Sequence, residues 1–84
     1  MNDLLKKAHA LCSRNKDILR ISERCGCFYC LKIFSFDKIT RWIDSGKNTA
    51  ICPYCGIDSV ISQSDLYELD KGFLREMHQY WFCS

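Results

Sequence analysis

Two cysteine pairs constrain this chain more than any other feature of its sequence. Cys27 and Cys30 form one C-x-x-C pair, and Cys52 and Cys55 form a second pair after 21 intervening residues. Two residues between cysteines allow a tight turn to point both sulfurs at one cation, and four thiolates make a closed tetrahedral zinc site. Gly56, directly after the second pair, lets the backbone turn without a steric clash. The pattern predicts one structural Zn²⁺ held by these four cysteines.

The size of the chain leads us to expect a stabilising element such as a metal. A chain of 84 residues forms one domain with a small core, and at this length only about 60–65% of the unfolded surface is buried. A four-thiolate zinc site supplies roughly 10–16 kcal/mol of apparent binding free energy, most of which is folding free energy. We expect one zinc-binding domain over 1–84, with a helical N-terminal segment at 1–24, a zinc-binding core at 25–62, and a loop and C-terminal helix at 63–84.

The predicted fold class is small α+β: a zinc-ribbon-like hairpin with an inserted short helix, flanked by N-terminal helices and a C-terminal helix. Apolar residues recur at helical spacing before residue 24, and Asn15 stands where one helix would end or a second would be capped. The last helix is predicted to start at Asp70, a suitable N-cap, with Leu69 and Leu74 packing across its first turn.

The middle of the chain supplies the predicted hairpin and its insertion. Residues 49–51 and 57–61 flank the second cysteine pair, and their composition predicts two paired strands with metal ligands at their tip. Residues 36–43 carry apolar side chains at helical spacing, which predicts a short helix that the polar residues 44–46 would end. Trp42 on that helix is expected at the centre of the small core beside the zinc.

Four further residues could act as ligands or carry thiol chemistry. Cys25 lies two residues before Cys27, and it is either packed as a small hydrophobic residue or available as a substitute ligand. His78 could replace one sulfur, but it is expected to border the buried face of the last helix. Cys12 and Cys83 are isolated in sequence, and we expect both to be packing residues.

The cysteine pattern also has catalytic interpretations, which the rest of the sequence does not support. The second pair read alone is Cys-Pro-Tyr-Cys, a redox motif of the glutaredoxin type, but that fold needs a further cis-proline and this chain has one proline. A zinc deaminase needs an H-x-E segment, and a small metal-dependent nuclease needs a histidine near the cysteines; neither is present between His9 and His78. We expect no enzyme activity, and a thiol-redox protein using Cys52 and Cys55 is the second alternative.

The cysteine segments resemble known zinc proteins. The knuckles Cys-Phe-Tyr-Cys and Cys-Pro-Tyr-Cys-Gly resemble those of zinc ribbons. More broadly, residues 25–30, 52–61 and 76–82 resemble a group of short bacterial cytoplasmic proteins with a four-cysteine zinc site and an uncharacterised activity. This resemblance implies a zinc-binding cytoplasmic protein and transfers no activity.

Composition and charge bear on location and partners. The first residues lack the apolar stretch of a signal peptide and no run of about 18 apolar residues occurs, so a reducing cytoplasm is expected and a membrane partner is not. Residues 1–47 hold ten Lys/Arg against five Asp/Glu, whereas residues 48–84 hold two against five. Nucleic-acid binding is therefore the first alternative function. The basic residues that would carry it are Arg14, Lys16, Arg20, Arg24, Lys32, Lys38, Arg41 and Lys47.

The leading hypothesis is a non-catalytic, zinc-stabilised module that binds another protein. Its formal net charge of +2 falls to about zero once four thiolates and one Zn²⁺ are counted. The aromatic run Tyr80, Trp81 and Phe82 covers more than one side of a helix, so at least one ring is expected at the surface as a partner-binding residue. The alternative is that all three rings complete the core. A monomer or a homodimer fits equally well.

Overall fold

The computed structural model describes residues 3–82, so the predicted packing role of Cys83 lies outside the described residues. The helices are α1 (Asp3–His9), α2 (Lys16–Ser22) and α3 (Lys71–Phe82), and single 3-10 turns occur at Ala10–Cys12 and Phe36–Lys38. The strands are β1 (Arg24–Cys27), β2 (Ile33–Ser35), β3 (Trp42–Ile43), β4 (Thr49–Ala50) and β5 (Val60–Ser62). This is the predicted small α+β fold, with helices at both ends and antiparallel strands between them. Within residues 3–82, none of the helices combines the length and the apolar character that crossing a bilayer requires.

The larger sheet is built around β1 in the order β2-β1-β5, with all pairs antiparallel. β1 and β2 form a hairpin with Cys25 opposite Phe34, in which Cys27 ends β1 and Cys30 lies in the connecting loop. The prediction of a hairpin around the second pair is wrong, because its flanking strands β4 and β5 lie in different sheets. β4 pairs instead with β3, and β5 with β1, where Cys27 faces Val60. The β3–β4 pairing closes a shorter loop and therefore costs less chain entropy.

The predicted inserted helix is reduced to the 3-10 turn Phe36–Lys38. Beyond it the chain extends, and Trp42 pairs with Ala50 across the small β3–β4 sheet. Aromatic and β-branched residues between 39 and 43 favour extended backbone, and a partner strand is available to satisfy it. The predicted helical face through Trp42 and Ile43 is therefore wrong. Trp42 is also not the centre of the core, since it is half-buried and packs at the edge.

The three-stranded sheet separates two apolar clusters. The helical cluster lies against α1 and α3 and comprises Leu5, Ala8, Cys12, Phe28, Ile61, Tyr67, Leu69, Phe73, Leu74 and Met77. The metal-side cluster comprises Leu19, Cys25, Cys27, Phe34, Ile39, Ala50, Cys52 and Val60. Successive strand residues point to opposite faces of the sheet. Gly26 therefore faces the helices, whereas Cys25 and Cys27 on either side of it face the metal-side cluster. A Cβ there would lie 3.0 Å from Leu69 Cδ1 and 3.1 Å from Leu74 Cδ1, so glycine allows the close approach of α3.

Asn15 joins parts of the chain that are distant in sequence. It directly precedes α2 but makes no side-chain cap there, which contradicts one of its two predicted roles, the capping of a second helix. Its Nδ2 donates to the carbonyl oxygens of Leu11 at 2.9 Å and Val60 at 2.8 Å. Its Oδ1 accepts from the Ala50 N–H at 3.2 Å. The buried amide thus links the N-terminal helices, the small sheet and the large sheet.

The start of α3 follows the sequence prediction. Asp70 precedes the helix, and its Oδ1 accepts a hydrogen bond from the Phe73 N–H at 2.8 Å. Leu69 and Leu74 are both fully buried in the helical cluster, as the predicted packing across the first turn requires. At the other end, the Trp81 indole N–H donates to the Leu5 carbonyl oxygen at 3.4 Å, which ties α3 to α1.

Candidate metal centre

The four cysteines predicted as ligands come together in one cluster. The sulfur atoms of Cys27, Cys30, Cys52 and Cys55 all lie within 4.8 Å of one another. The sulfurs of Cys27 and Cys55 are 3.6 Å apart, and those of Cys30 and Cys52 are 3.7 Å apart. A tetrahedral site with Zn–S bonds of about 2.3 Å has sulfur–sulfur edges of about 3.8 Å. Two of the six edges therefore match a four-thiolate metal site, and all four sulfurs are close enough to hold one ion. The two measured distances are too long for disulfide bonds, which need about 2.05 Å.

The two knuckles have the same backbone construction. In the first, the Leu31 N–H donates to the Cys27 carbonyl oxygen at 2.8 Å, and the Tyr29 N–H donates to the Cys27 sulfur at 3.3 Å. In the second, Gly56 and Tyr54 make the same two hydrogen bonds to Cys52, at 3.0 and 3.4 Å. N–H donors to the sulfur orient it and stabilise its negative charge. The repeated geometry places each first cysteine for a shared ion.

The last residue of each knuckle adopts a left-handed backbone. Gly56 has φ +79°, which is the turn that the sequence predicted from a glycine after the second pair. Leu31 holds the equivalent position in the first knuckle with φ +66°. A non-glycine residue in this region is strained. The hydrogen bond from its N–H and the flanking strands hold it in place.

Burial and hydrogen bonding act differently on the thiols. Cys27 and Cys52 are buried, whereas Cys30 and Cys55 are half-buried. Burial raises the pKa of the Cys27 thiol well above its usual value. Burial also opposes ionisation of Cys52, but N–H groups of Cys55 and Tyr54 donate to its sulfur and leave its pKa lowered. Because the thiols do not ionise alike, a bound cation is what would hold all four as thiolates.

Ser59 is a site residue that the sequence analysis missed. Its hydroxyl oxygen lies 3.0 Å from the Cys27 sulfur, and the side chain is buried. Its carbonyl oxygen also accepts from the Phe28 N–H at 3.1 Å, which fixes the residue beside the first knuckle. The only signal in the sequence is a small polar residue directly before the apolar pair Val60 and Ile61. A hydroxyl at this position can donate to the thiolate form of Cys27.

The two residues left open as substitute ligands are not in the cluster. Cys25 is fully buried in the metal-side cluster, and burial raises the pKa of its thiol to about 12. His78 lies on α3, and its Nδ1 is 3.1 Å from the Phe28 carbonyl oxygen, to which it donates. Neither residue belongs to the group of side chains close enough to hold an ion. Cys12 is buried in the helical cluster, in agreement with its predicted packing role.

The three C-terminal aromatic residues have different surroundings. Tyr80 and Trp81 are half-buried and pack against the helical cluster. Phe82 is 43% exposed, and its ring lies edge-on to the ring of Tyr29, with centroids 5.0 Å apart. Tyr29 is itself 44% exposed. The first knuckle and the end of α3 thus share an exposed aromatic pair.

The fold and the cysteine cluster define a small α+β domain in which four cysteine sulfurs could hold a metal ion. Comparison with protein-family models, with curated proteins and with solved structures finds no match to this chain.

Proposed function

We propose that this chain is a non-catalytic module of the reducing cytoplasm, stabilised by one structural Zn²⁺ and binding a protein partner. The observation that carries the metal assignment is the sulfur geometry, with edges of 3.6 and 3.7 Å. Zinc is the first choice of metal because four thiolates in a tetrahedral arrangement are its usual structural ligand set. The seven cysteines of the chain are compatible with a compartment that keeps thiols reduced.

The completeness of the ligand set supports a non-catalytic site. A catalytic zinc keeps one position open for water or substrate, whereas four sulfurs complete a tetrahedron. The two histidines that could serve as acid or base are engaged elsewhere: the His9 ring lies 4.0 Å from the Trp81 ring, and His78 contacts the Phe28 carbonyl oxygen. These arrangements favour a role in binding over one in hydrolysis.

The chain beyond Cys55 argues against the thiol-redox alternative. A thioredoxin-like pair sits at the start of a helix that follows the cysteines. Here Gly56 turns the chain, and the next regular element is β5. Cys52 and Cys55 moreover share their cluster with the first pair, so both sulfurs are available to a metal.

The exposed aromatic pair supports the proposed protein partner. Tyr29 and Phe82 are each more than two-fifths exposed and lie together at the surface. His78 extends this patch, with its ring 5.4 Å from Phe82 and 5.6 Å from Tyr29. Exposed aromatic residues are enriched among residues that dominate binding energy at interfaces. Trp81 is a less suitable contact, since its indole holds α1.

Elemental analysis of the purified chain tests the metal assignment. We expect one zinc per chain in the wild type and in Cys25→Ala, which removes a buried thiol outside the cluster. Cys30→Ser should lose the zinc and with it the cooperative unfolding transition, because metal binding and folding are coupled. A wild type purified under reducing conditions without bound metal, and still folded, would refute the assignment.

Light scattering and cross-linking with cell extract test the partner surface. Phe82→Ser should abolish a specific cross-linked or self-associated species without changing zinc content or thermal stability by much. Leu66→Ser is the matched control, since Leu66 is 52% exposed and belongs to the loop between β5 and α3. Equal association by wild type and Phe82→Ser would count against this surface, whereas loss in both variants would point to a general effect of apolar exposure.

A further inference from the structure

A basic groove with an aromatic wall lies between the start of α2 and the β3–β4 hairpin. Its volume is about 420 Å³. The lining residues are Lys16, Thr40, Arg41, Trp42, Ile43 and Lys47. Three of the six are cationic and none is acidic. The groove is within the size range of ligand pockets in proteins, roughly 300–1,000 Å³.

The structure divides the basic residues of the N-terminal half into separate groups. Arg20 pairs with Asp17 at 2.6 Å, and Lys32 lies over the Tyr54 ring near the second knuckle. Only three of the eight basic residues named from the sequence line the groove. The groove therefore brings together three cations that stand at positions 16, 41 and 47 of the sequence.

Two acidic residues directly adjoin groove-lining residues in sequence. Asp17, next to Lys16, pairs with Arg20. Asp44, next to Ile43, uses its carboxylate within the turn of the hairpin. One oxygen accepts from the Thr49 hydroxyl at 2.6 Å, and the other accepts from the Gly46 and Asn48 N–H groups at 2.9 and 3.2 Å. These bonds hold the turn that presents Lys47. The Lys16 N–H donates to the Asn48 carbonyl oxygen at 3.0 Å, which joins α2 to the hairpin.

Trp42 provides the aromatic wall. The ring is half-buried, with Phe36 packed 5.7 Å away, centroid to centroid, and the Lys16 ammonium 5.2 Å from its centroid. A cation beside an indole face is attracted to the ring, but a flexible lysine can move aside for a larger group. A planar ligand that stacked on Trp42 would displace the Lys16 ammonium from the ring. The displaced ammonium would then be free to contact a neighbouring anion.

We propose that this groove binds single-stranded nucleic acid. One base stacks on Trp42, and Lys16, Arg41 and Lys47 contact the phosphates beside it. A flat aromatic surface next to cations suits a base and its backbone, and base–aromatic stacking tolerates any sequence. A duplex keeps its bases stacked inside the helix, so it offers phosphates and base edges but no free base face for Trp42. An acidic peptide would use the three cations but not the face of Trp42. This site is independent of the protein-binding surface proposed at Tyr29 and Phe82.

Fluorescence anisotropy with the zinc-loaded full chain tests the site. The probes are labelled oligo-dT and oligo-U of about 12 nucleotides, which is within the site sizes of single-strand binders. Three phosphate contacts predict a salt slope of about −2, so affinity should fall about 20-fold between about 50 and 200 mM salt. A duplex of the same length, a free nucleoside monophosphate and a poly-glutamate peptide are the competing ligands. Each should bind more weakly than the single strands.

Matched variants locate the binding. Trp42→Ala should weaken binding by about 10-fold or more, while Trp42→Phe keeps an aromatic face and should stay closer to wild type. Arg41→Gln and Lys47→Gln change exposed residues, and each should reduce the salt slope by about 0.7. Lys71→Gln is the charge-matched control at an exposed position on α3 and should leave the slope unchanged. Zinc content and thermal unfolding establish that each variant is folded.

Four results would overturn the proposal. No binding of either oligonucleotide at low salt would exclude a nucleic-acid site. Binding that Trp42→Ala and Lys47→Gln leave unchanged would place the contact elsewhere. Equal affinity for the free nucleotide would make the ligand a small molecule, and equal affinity for the duplex or for poly-glutamate would reduce the groove to a general anion site.

Discussion

Replacement of Asn15 by alanine is the sharpest test of how the two halves of this fold are joined. The side chain is 1% exposed and makes three hydrogen bonds, to the Leu11 and Val60 carbonyl oxygens and from the Ala50 N–H. Only one orientation of the amide satisfies all three, since Nδ2 must donate twice and Oδ1 must accept. Alanine would leave Val60 and Ala50 with unpaired backbone groups in the interior.

The expected loss follows from these two groups. An unpaired buried donor or acceptor costs about 1–3 kcal/mol, whereas the part-buried Leu11 oxygen can bond to water. We expect Asn15→Ala to lower the free energy of unfolding by about 3 kcal/mol. A chain of 84 residues has a total stability of roughly 4–13 kcal/mol. The substitution should therefore remove a large part of the stability without touching a metal ligand.

Urea unfolding at a fixed, saturating zinc concentration measures this loss, because bound metal shifts the apparent stability. Asn48→Ala is the control: Asn48 is an exposed asparagine on the β3–β4 hairpin, and its change should stay within about 0.5 kcal/mol. Asn15→Asp keeps the size and the acceptor, but it turns a carboxylate toward two carbonyl oxygens and should destabilise at least as much. A loss below about 1 kcal/mol in Asn15→Ala would refute the reasoning that this amide joins the sheets.

Two further predictions concern Ser59 and Tyr67. Ser59→Ala removes the hydroxyl 3.0 Å from the Cys27 sulfur and should weaken zinc affinity by about 10-fold or more in a chelator competition. Ser45→Ala, at an exposed position, is the control. Equal zinc affinities of Ser59→Ala and wild type would show that the hydroxyl does not support the thiolate. Burial raises the pKa of Tyr67 to about 12, and its hydroxyl donates to the Ser62 carbonyl oxygen at 2.6 Å. Because the folded-state pKa is raised, this stabilisation is complete below about pH 10 and is lost as the pH rises toward 12. Urea midpoints should therefore fall more steeply over that interval in wild type than in Tyr67→Phe, and parallel pH profiles would contradict the assignment.

The cysteine spacing by itself determined the four candidate ligands. Two residues between Cys27 and Cys30, and between Cys52 and Cys55, limit each pair to a turn that directs both sulfurs to one point, and that turn is local. The same holds for the glycine after the second pair and for Asp70, whose cap involves only the next three residues. Short-range geometry depends on the residues themselves and is therefore readable from the sequence.

Tertiary structure alone decided how these local units are combined. Residues 39–43 have apolar spacing that suits a helix and side chains that suit a strand, and the presence of β4 as a partner selected the strand. Asn15 has the local signature of a helix cap, but burial between two sheets gave its amide three better partners. Ser59 beside Cys27 and the groove around Trp42 depend on contacts between residues 25 or more positions apart. Such contacts depend on which surfaces meet during packing, and the spacing of residues along the chain does not specify that.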